Sequence, residues 1–297
     1  MSCNIAYLDP REDWINGGLA ATIFRLSICQ NPDRILFVSD ETVFTNIYSM
    51  ASDGSDVHQL TFEVYDLDKP AWSPDGSRIA FSYANVATTG ISIMNADGSG
   101  RIDLLADTNL QSQPTFSADG TQIIFTSNRP SAGTNYIWRM DLDGSNLVQL
   151  SPTDGVPRGQ ASMSKGSSFI YYMDTINTND DVYRMDLNGA NVTQVTSGGG
   201  DEDEPQISAD GTFIAYEDSG QIYTVVLDGS LPINISNNGF QDHDPAISPD
   251  NSRIVFRSDR NGGLSNIYTM NKDGSNPIPI RTNNSFYFTS PAWSCAF

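Results

Sequence analysis

One ten-residue pattern occurs six times along the chain and limits the folds that it can adopt. Each copy starts around an isoleucine or valine and ends in a turn signal such as Asp-Gly-Ser. The copies are NIYSMASDGS (46–55), GISIMNADGS (90–99), YIWRMDLDGS (136–145), DVYRMDLNGA (181–190), QIYTVVLDGS (221–230) and NIYTMNKDGS (266–275). Their turn glycines are separated by 44, 46, 45, 40 and 45 residues. Units of about 40–45 residues that form short strands are typical of the blades of a β-propeller.

A second repeated pattern indicates that each unit contains four strands. The stretch from Pro70 to Leu105 has four short apolar runs separated by turn signals, the first of which is Ser-Pro-Asp-Gly. Similar hairpins begin at Pro114, Pro205 and Pro245. The copy at 160–171, QASMSKGSSFIY, lacks the proline and the aspartate, so we expect that blade to diverge. A four-stranded sheet with two apolar faces must stack on its neighbours to cover both faces.

The two ends of the repeated region complement each other. Pro291 to Ser294 matches a first strand with no second strand after it, whereas Arg34 to Asp40 matches a second strand with no first strand before it. The sequence therefore predicts an all-β, six-bladed propeller of four-stranded antiparallel blades. Its ring closes when the C-terminal strand pairs with the N-terminal strands, which removes open sheet edges.

The predicted domain boundaries follow from this closure. The blades are 34–61 with 290–297, 66–106, 111–151, 157–196, 201–236 and 240–282. Residues 1–33 do not match the repeat, and we expect them to form an extension that packs on the propeller 34–297. Three cysteines, Cys3, Cys29 and Cys295, leave two alternatives open. A bridge from Cys3 or Cys29 to Cys295 would tie the extension to the closing blade, and free or buried thiols are the other interpretation.

Apolar residues of the second and third strands are expected to form the core between blades. They are Ile79, Phe81, Ile91, Ile93, Ile123, Phe125, Ile137, Ile214, Tyr216, Ile254, Phe256 and Ile267. Trp72 and Trp293 lie beside the first strand. Their place in the repeat favours packing between blades over a platform for stacking sugars.

The chain is strongly acidic. It has 16 Lys and Arg against 36 Asp and Glu, a formal net charge of −20 and a pI of about 4.1. This charge disfavours nucleic acid and anionic lipid as partners, and it favours cations and basic proteins. An acidic, solvated surface of the kind found on exported or salt-tolerant proteins is the simpler interpretation. No stretch is long and apolar enough to predict a membrane span.

The combined pattern, P-x-[WFI]-S-[PA]-D-G-x-x-I-A-F followed by x-I-Y-x-M-x-x-D-G-S, resembles the repeat of the TolB-type six-bladed propellers over residues 34–297. Related repeats occur in the propeller parts of prolyl-oligopeptidase-like and tricorn-like proteases and in oligogalacturonate lyase. The resemblance implies a protein-binding or ligand-binding module of the bacterial cell envelope, periplasmic or extracellular. The 33 residues before the repeats are too few for the N-terminal domain of TolB. The chain has no G-x-S-x-G motif, and its two histidines, His58 and His243, do not supply the histidine set of the lyase.

The segments that enter the first strands are the candidate functional site, because they should surround one mouth of the central channel. The candidate residues are Asp68, Gln113, Arg158, Glu202, Glu204, Asp242, His243 and Asp244. Converging carboxylates suit a basic partner or a divalent cation such as calcium at this mouth, although no cofactor is required. They also suit acid–base hydrolysis, or a structural role in capping backbone groups.

Three functions remain open from the sequence. The first is a non-catalytic TolB-like module that binds a protein segment or another ligand through its channel mouth and loops. The second is a carbohydrate-active enzyme, a glycan lyase or hydrolase, that uses the acidic rim. The third is a structural or assembly subunit.

Overall fold

The computed structural model describes residues 33–129, 133–176 and 179–295. These residues form 24 β-strands and no helix. The strands make six four-stranded antiparallel sheets, and consecutive sheets contact one another around a ring. The prediction of an all-β, six-bladed propeller is therefore confirmed. Within the described ranges, no helix is long and apolar enough to span a membrane. The proposed extension and the cysteine bridge lie outside the described residues.

The four strands of each blade follow one another from the channel outwards. Blade one contains β24 (Phe288–Cys295), β1 (Asp33–Ser39), β2 (Asn46–Ala51) and β3 (His58–Gln59). Blade two contains β4 (Asp66–Trp72), β5 (Arg78–Ala84), β6 (Thr89–Asn95) and β7 (Ile102–Asp107). Blade three contains β8 (Gln111–Phe116), β9 (Gln122–Ser127), β10 (Tyr136–Asp141) and β11 (Val148–Gln149).

The remaining three blades follow the same order. Blade four contains β12 (Arg158–Ser162), β13 (Phe169–Asp174), β14 (Asp181–Asp186) and β15 (Thr193–Gln194). Blade five contains β16 (Glu202–Ile207), β17 (Phe213–Asp218), β18 (Gln221–Val226) and β19 (Ile233–Asn234). Blade six contains β20 (Asp242–Ile247), β21 (Arg253–Ser258), β22 (Asn266–Asn271) and β23 (Ile278–Arg281).

The ring closes in blade one, as the sequence predicts. β24 pairs antiparallel with β1, from Asp33 opposite Cys295 to Ser39 opposite Phe288. The inner strand of this blade therefore comes from the C-terminus, while its other three strands come from the N-terminal end of the described chain. Closure of this kind leaves no gap between the first and last blades.

The hydrophobic core consists of six clusters, one at each junction between neighbouring blades. At the junction of blades one and two, for example, Leu36 and Ile47 lie against Ile79 and Phe81. Every core residue predicted from the sequence is buried. Trp72 and Trp293 are half-buried and pack against two of these clusters, but they also line the central channel.

The two ends of the ring differ in their loops. The end at which the inner strands begin carries the connections between blades and the loops between second and third strands, and we name it the loop face. The opposite end, the turn face, carries the tight turns after the first and third strands. β1 begins at the turn face, because Asp33 pairs with the end of β24.

The Asp-Gly turns after the third strands fasten each blade to the preceding one. Gly144 has a φ of 79°, and a Cβ there would overlap the backbone carbonyl oxygen of Leu104 in blade two. The equivalent glycines Gly54, Gly98, Gly189, Gly229 and Gly274 meet the carbonyl oxygens of Ile280, Leu60, Leu150, Val195 and Ile235. Glycine is needed at these turns for its backbone conformation and for the close approach of the neighbouring blade.

We expect Gly144→Ala to destabilise the fold more than Gly211→Ala. Gly211 has a φ of 66° and no atom within 4 Å of a Cβ, so alanine there costs only the left-handed conformation, about 1–2 kcal/mol. At Gly144 the overlap with Leu104 adds roughly 1–3 kcal/mol. Urea unfolding of both variants measures the difference, and equal losses would contradict the close approach.

Candidate functional site

A cavity of about 390 Å³ occupies the central channel on the side of the turn face. Its lining runs along the inner strands to the turns that follow them, including Pro74, Lys165 and Pro249. At the inner end of the cavity, each blade contributes one last residue to the lining. We name these six residues the floor ring: Lys69, Gln113, Gln160, Glu204, Asp244 and Ser290. The cavity is therefore open at the turn face and closed at the floor ring.

A backbone irregularity places the floor ring. Each of its residues has a φ between 49° and 56° and lies where the register of the inner strand shifts against the second strand. A β-bulge of this kind re-aims a side chain out of the regular alternation of a strand. Left-handed backbone is unfavourable for residues other than glycine, and here it recurs at one level of all six blades.

The walls above the floor ring combine apolar and polar side chains. The residue after each floor residue is proline in every blade except blade four, where it is Ala161. Three residues after the floor ring lies a second ring that also lines the cavity, which we name the apolar ring. Its members are Trp72, Phe116, Met163, Ile207, Ile247 and Trp293. A ligand that fills the cavity would thus meet apolar side chains of this ring together with polar ones, such as Thr115 and Gln206, before it reaches the floor.

Ion pairs across the channel hold the floor together. Lys69 Nζ lies 2.5 Å from Glu204 Oε1 and 2.7 Å from Asp244 Oδ1. Blade two lies opposite blade five in a ring of six, so this lysine spans the channel. Arg257 Nε donates to the other oxygen of Asp244 at 2.6 Å. Ser290 Oγ donates to Asp68 Oδ1 at 2.8 Å, which adds the closing blade to the network.

The protonation of the floor follows from burial and from these neighbours. Burial and the charge of Asp244 raise the pKa of Glu204 well above its ordinary value, which favours its neutral form, although Lys69 opposes this shift. Burial alone would raise the pKa of Asp244, but the charge of Lys69, a hydrogen bond with Glu204 and the charge of Arg257 hold it well below its ordinary value. Although burial opposes the charge of Lys69, Asp244 and Glu204 raise its pKa. The two carboxyl groups of the floor thus differ, because burial favours the neutral form of Glu204 while the cations favour the charged form of Asp244.

We expect Glu204→Gln and Asp244→Asn to differ strongly in their effect on stability. Because its environment favours the neutral form of Glu204, replacement by the neutral glutamine should cost no more than about 1 kcal/mol. Asparagine removes the charge that pairs with both Lys69 and Arg257, and leaving buried cations unpaired costs about 3–5 kcal/mol. Chemical unfolding at neutral pH measures both values. A large loss for Glu204→Gln would show that Glu204 is ionised.

The predicted site residues divide into two groups. Gln113, Glu204 and Asp244 belong to the floor ring, and Asp68 contacts it through Ser290. Arg158, Glu202 and Asp242 are buried two residues before the floor ring and do not line the cavity. His243 also lies outside the lining, with its Nδ1 2.6 Å from Glu217 Oε1.

The buried group holds loops of the loop face in place. Arg158 Nε donates to Asp174 Oδ2 at 2.6 Å, and its Nη1 donates to Asp154 Oδ1 at 2.7 Å. Asp242 accepts two hydrogen bonds from Arg260 Nη2, at 2.7 and 3.0 Å. These contacts are structural, but they are ion pairs between side chains, whereas the structural role suggested from the sequence is the capping of backbone groups.

Blade four differs from the other blades by one residue. Its floor residue is Gln160, whereas the residue predicted for the site in this blade is Arg158, two positions earlier. The hairpin after it is one residue shorter, because Gly166 follows Ala161 by five residues whereas Gly76 follows Pro70 by six. Lys69, Gln160, Ser290 and the apolar ring are missing from the predicted site. The proline of the repeat is the sequence signal that could have found most of them. Lys69 and Ser290 stand directly before it, and five members of the apolar ring stand two residues after it.

Glu202 is a buried carboxyl whose environment favours the neutral form. Burial, followed by hydrogen bonding and charge from Asp181, raises its pKa to about 7. Thr196 Oγ1 donates to Glu202 Oε2 at 2.5 Å, and the Gly198 amide donates to Oε1 at 3.0 Å. Burial also raises the pKa of the neighbouring Asp203 to about 6. Both groups lie where blade four leads into blade five.

We expect Glu202→Gln to flatten the pH dependence of stability. Because the folded pKa of about 7 exceeds the ordinary value of 4.5, the stabilisation is complete below about pH 4.5 and is lost as the pH rises through 7. The loss approaches about 3 kcal/mol at high pH. Urea unfolding from pH 5 to pH 8 would show a smaller slope for Glu202→Gln than for the wild type. Asp201→Asn, at an exposed carboxylate next in the chain, serves as the control, and equal slopes in all three proteins would contradict the assignment.

A calcium ion at the channel mouth stays a prediction. Among the described residues, no group of three or more His, Cys, Asp or Glu side chains is arranged to hold a metal ion. The carboxylates of Asp244 and Glu204 are engaged by Lys69.

Comparisons with solved structures support the fold assignment. The chain is similar to TolB from Acinetobacter baumannii, with 21% identity and a TM-score of 0.76 over 88% of this chain and 66% of TolB. It is also similar to a chain of a nidogen/laminin complex, with 10% identity and a TM-score of 0.71 over 88% of this chain and 98% of that one. Oligogalacturonate lyase from Vibrio parahaemolyticus has 12% identity and a TM-score of 0.55, over 75% of this chain and 71% of the lyase. At these identities the likenesses show the fold alone.

The sequence itself matches one family. No curated protein matches the chain significantly. The family model described as TolB beta propeller domain matches residues 27–158 and 65–221. Together these matches run from residue 27 to residue 221, more than half of the 297 residues. The chain therefore belongs to the TolB β-propeller domain family.

Proposed function

We propose that the protein is a non-catalytic binding module whose central cavity receives a polypeptide segment of a partner protein. The cavity carries this proposal: it is open at the turn face, closed at the floor ring, and the apolar ring forms part of its wall. Concave sites that combine apolar walls with placed polar groups are typical of ligand binding. The sequence predicts a site at the loop face, where the inner strands begin, whereas the proposed cavity opens at the turn face.

The shape of the cavity suits an extended segment. A volume of about 390 Å³ accommodates a few amino-acid side chains. Each inner strand is the last strand of its sheet, so one of its backbone edges faces the channel without a pairing strand. Such edges can bond to the backbone of a peptide, while apolar walls select its side chains.

The floor favours binding over glycoside hydrolysis. Glu204 and Asp244 lie 2.5 and 2.7 Å from the same nitrogen, Lys69 Nζ, so both carboxyl groups are engaged by one cation, whereas a glycosidase needs two carboxyl groups that face the substrate. Neither histidine lines the cavity. The half-buried Trp72 and Trp293 in the wall are the observation that favours the second function, a carbohydrate-active enzyme. An assembly role, and a location in the bacterial cell envelope, rest on family membership and the acidic composition and stay predictions.

Filling the cavity should abolish peptide binding. A peptide selected on the wild type from a phage-displayed library is labelled, and its affinity is measured by fluorescence anisotropy. We expect Ala71→Trp, which fills the lined space, to weaken binding at least about tenfold, since it removes the space for an anchoring side chain. Val148→Trp, at an exposed position on the outer edge of blade three, is the matched control.

The alternatives have their own outcomes in the same experiment. Equal binding by both tryptophan variants would place the peptide outside the cavity and overturn the proposal. Cleavage of a polysaccharide by the wild type but not by Ala71→Trp would favour the carbohydrate-active enzyme. Thermal unfolding of each variant verifies that it is folded.

A further inference from the structure

Four large apolar side chains stand exposed on the loop face of blades one and two. Val43 is 92% exposed, Phe62 77%, Val64 74% and Val86 109%. Val43 and Val86 lie in the loops between second and third strands, and Phe62 and Val64 lie in the connection between the two blades. We name these four residues the apolar patch. It is separate from the central cavity, which opens at the turn face.

Hydrogen bonds link the three loops that carry the apolar patch. Asn46, at the start of β2, accepts from the backbone amide of Glu63 at 2.9 Å and donates to the carbonyl of Phe44 at 3.2 Å. Thr45 donates its amide to Asp66 at 3.0 Å, and Asp66 pairs in register with Ala84, two residues before Val86. The three loops that carry the apolar patch are therefore anchored to one another.

The repeat shows that the fold does not require an apolar residue at the position of Phe62. Thr61, which precedes Phe62, accepts from the amide of Ile47 at 2.9 Å, and Ser151, Thr196 and Ser236 make the same bond in blades three, four and five. The residues that follow those three are Pro152, Ser197 and Asn237. Phe62 thus stands at an exposed position that other blades fill with proline or a polar residue. An exposed apolar cluster that the scaffold does not need indicates an interaction surface.

Charge indicates the kind of partner. Asp40 lies on the same loop as Val43, and Asp66 lies two residues after Val64; neither takes part in an ion pair within the part of the chain that the structure describes. The two nearby cations are used, since Arg281 pairs with Glu41 and Arg101 with Glu63. An acidic border in a protein of net charge −20 repels anionic membranes and attracts basic segments.

We propose that the apolar patch is a second docking surface, for a polypeptide segment that presents apolar side chains flanked by lysine or arginine. Apolar contact with Phe62 and the three valines supplies the affinity, and Asp40 and Asp66 select the basic flanks. This inference does not rest on the proposed function, because the patch and the cavity lie on opposite faces.

Three labelled peptides test the proposal by fluorescence anisotropy. Two are amphipathic, one of Leu and Lys and one of Leu and Glu, and the third, of Ser and Lys, has no apolar face. The protein variants are Phe62→Ser with Val64→Ser, and, as a matched control on the outer edges of blades three and five, Val148→Ser with Ile233→Ser. We expect the Leu–Lys peptide to bind the wild type and the control equally. The patch variant should bind it at least about tenfold more weakly, and added salt should weaken binding to the wild type.

Each other result overturns the proposal in a distinct way. Equal affinity of the patch variant and the wild type would mean that general charge attraction explains binding. If the Leu–Glu peptide binds as tightly as the Leu–Lys peptide, the partner need not be basic. If the Ser–Lys peptide binds as tightly, apolar contact does not supply the affinity. A wild-type dimer that the patch variant loses, seen by sedimentation, would assign the patch to a second copy of the chain. Binding to anionic vesicles would assign it to a membrane. The cavity variant Ala71→Trp should leave all these results unchanged.

Discussion

The antiparallel pairing of β24 with β1 is the constraint on which the other features depend. It joins the two ends of the described chain and makes the first and sixth blades neighbours, so that all six junctions contain a hydrophobic cluster. Only a closed ring directs six inner strands towards one axis. The floor ring, in which Lys69 of blade two reaches carboxylates of blades five and six, exists because that closure fixes the width of the channel.

The repeat made the scaffold predictable, because hairpin chemistry is local. Asp-Gly turns, the apolar periods of the second and third strands and the unmatched segments at 34–40 and 291–294 are each visible in a few neighbouring residues. The structure bears them out through buried residues such as Phe81, Phe125 and Phe256 and through the closing pair. The order and number of blades follow from counting such signals.

The site was less predictable, because it depends on direction and distance across the ring. Arg158 and Glu204 both enter inner strands, but a bulge turns Glu204 into the channel while Arg158, two residues before the bulge, stays buried beside Asp174. In blade four the missing proline and a hairpin one residue shorter concealed Gln160. The pairing of Lys69 with Glu204 joins residues 135 positions apart, which no local pattern contains.

In a repeat protein, the positions that depart from the repeat carry information about function. The floor ring keeps one backbone conformation in all six blades, yet its side chains differ in charge and size, so the frame of the channel repeats while its contents do not. Phe62 departs in the same way, since its neighbour Thr61 makes the bond that serine or threonine makes in three other blades. Where the backbone repeats and the side chain does not, folding alone does not explain the residue. The central cavity and the apolar patch both meet that condition, which is why we assign binding to opposite faces of one ring.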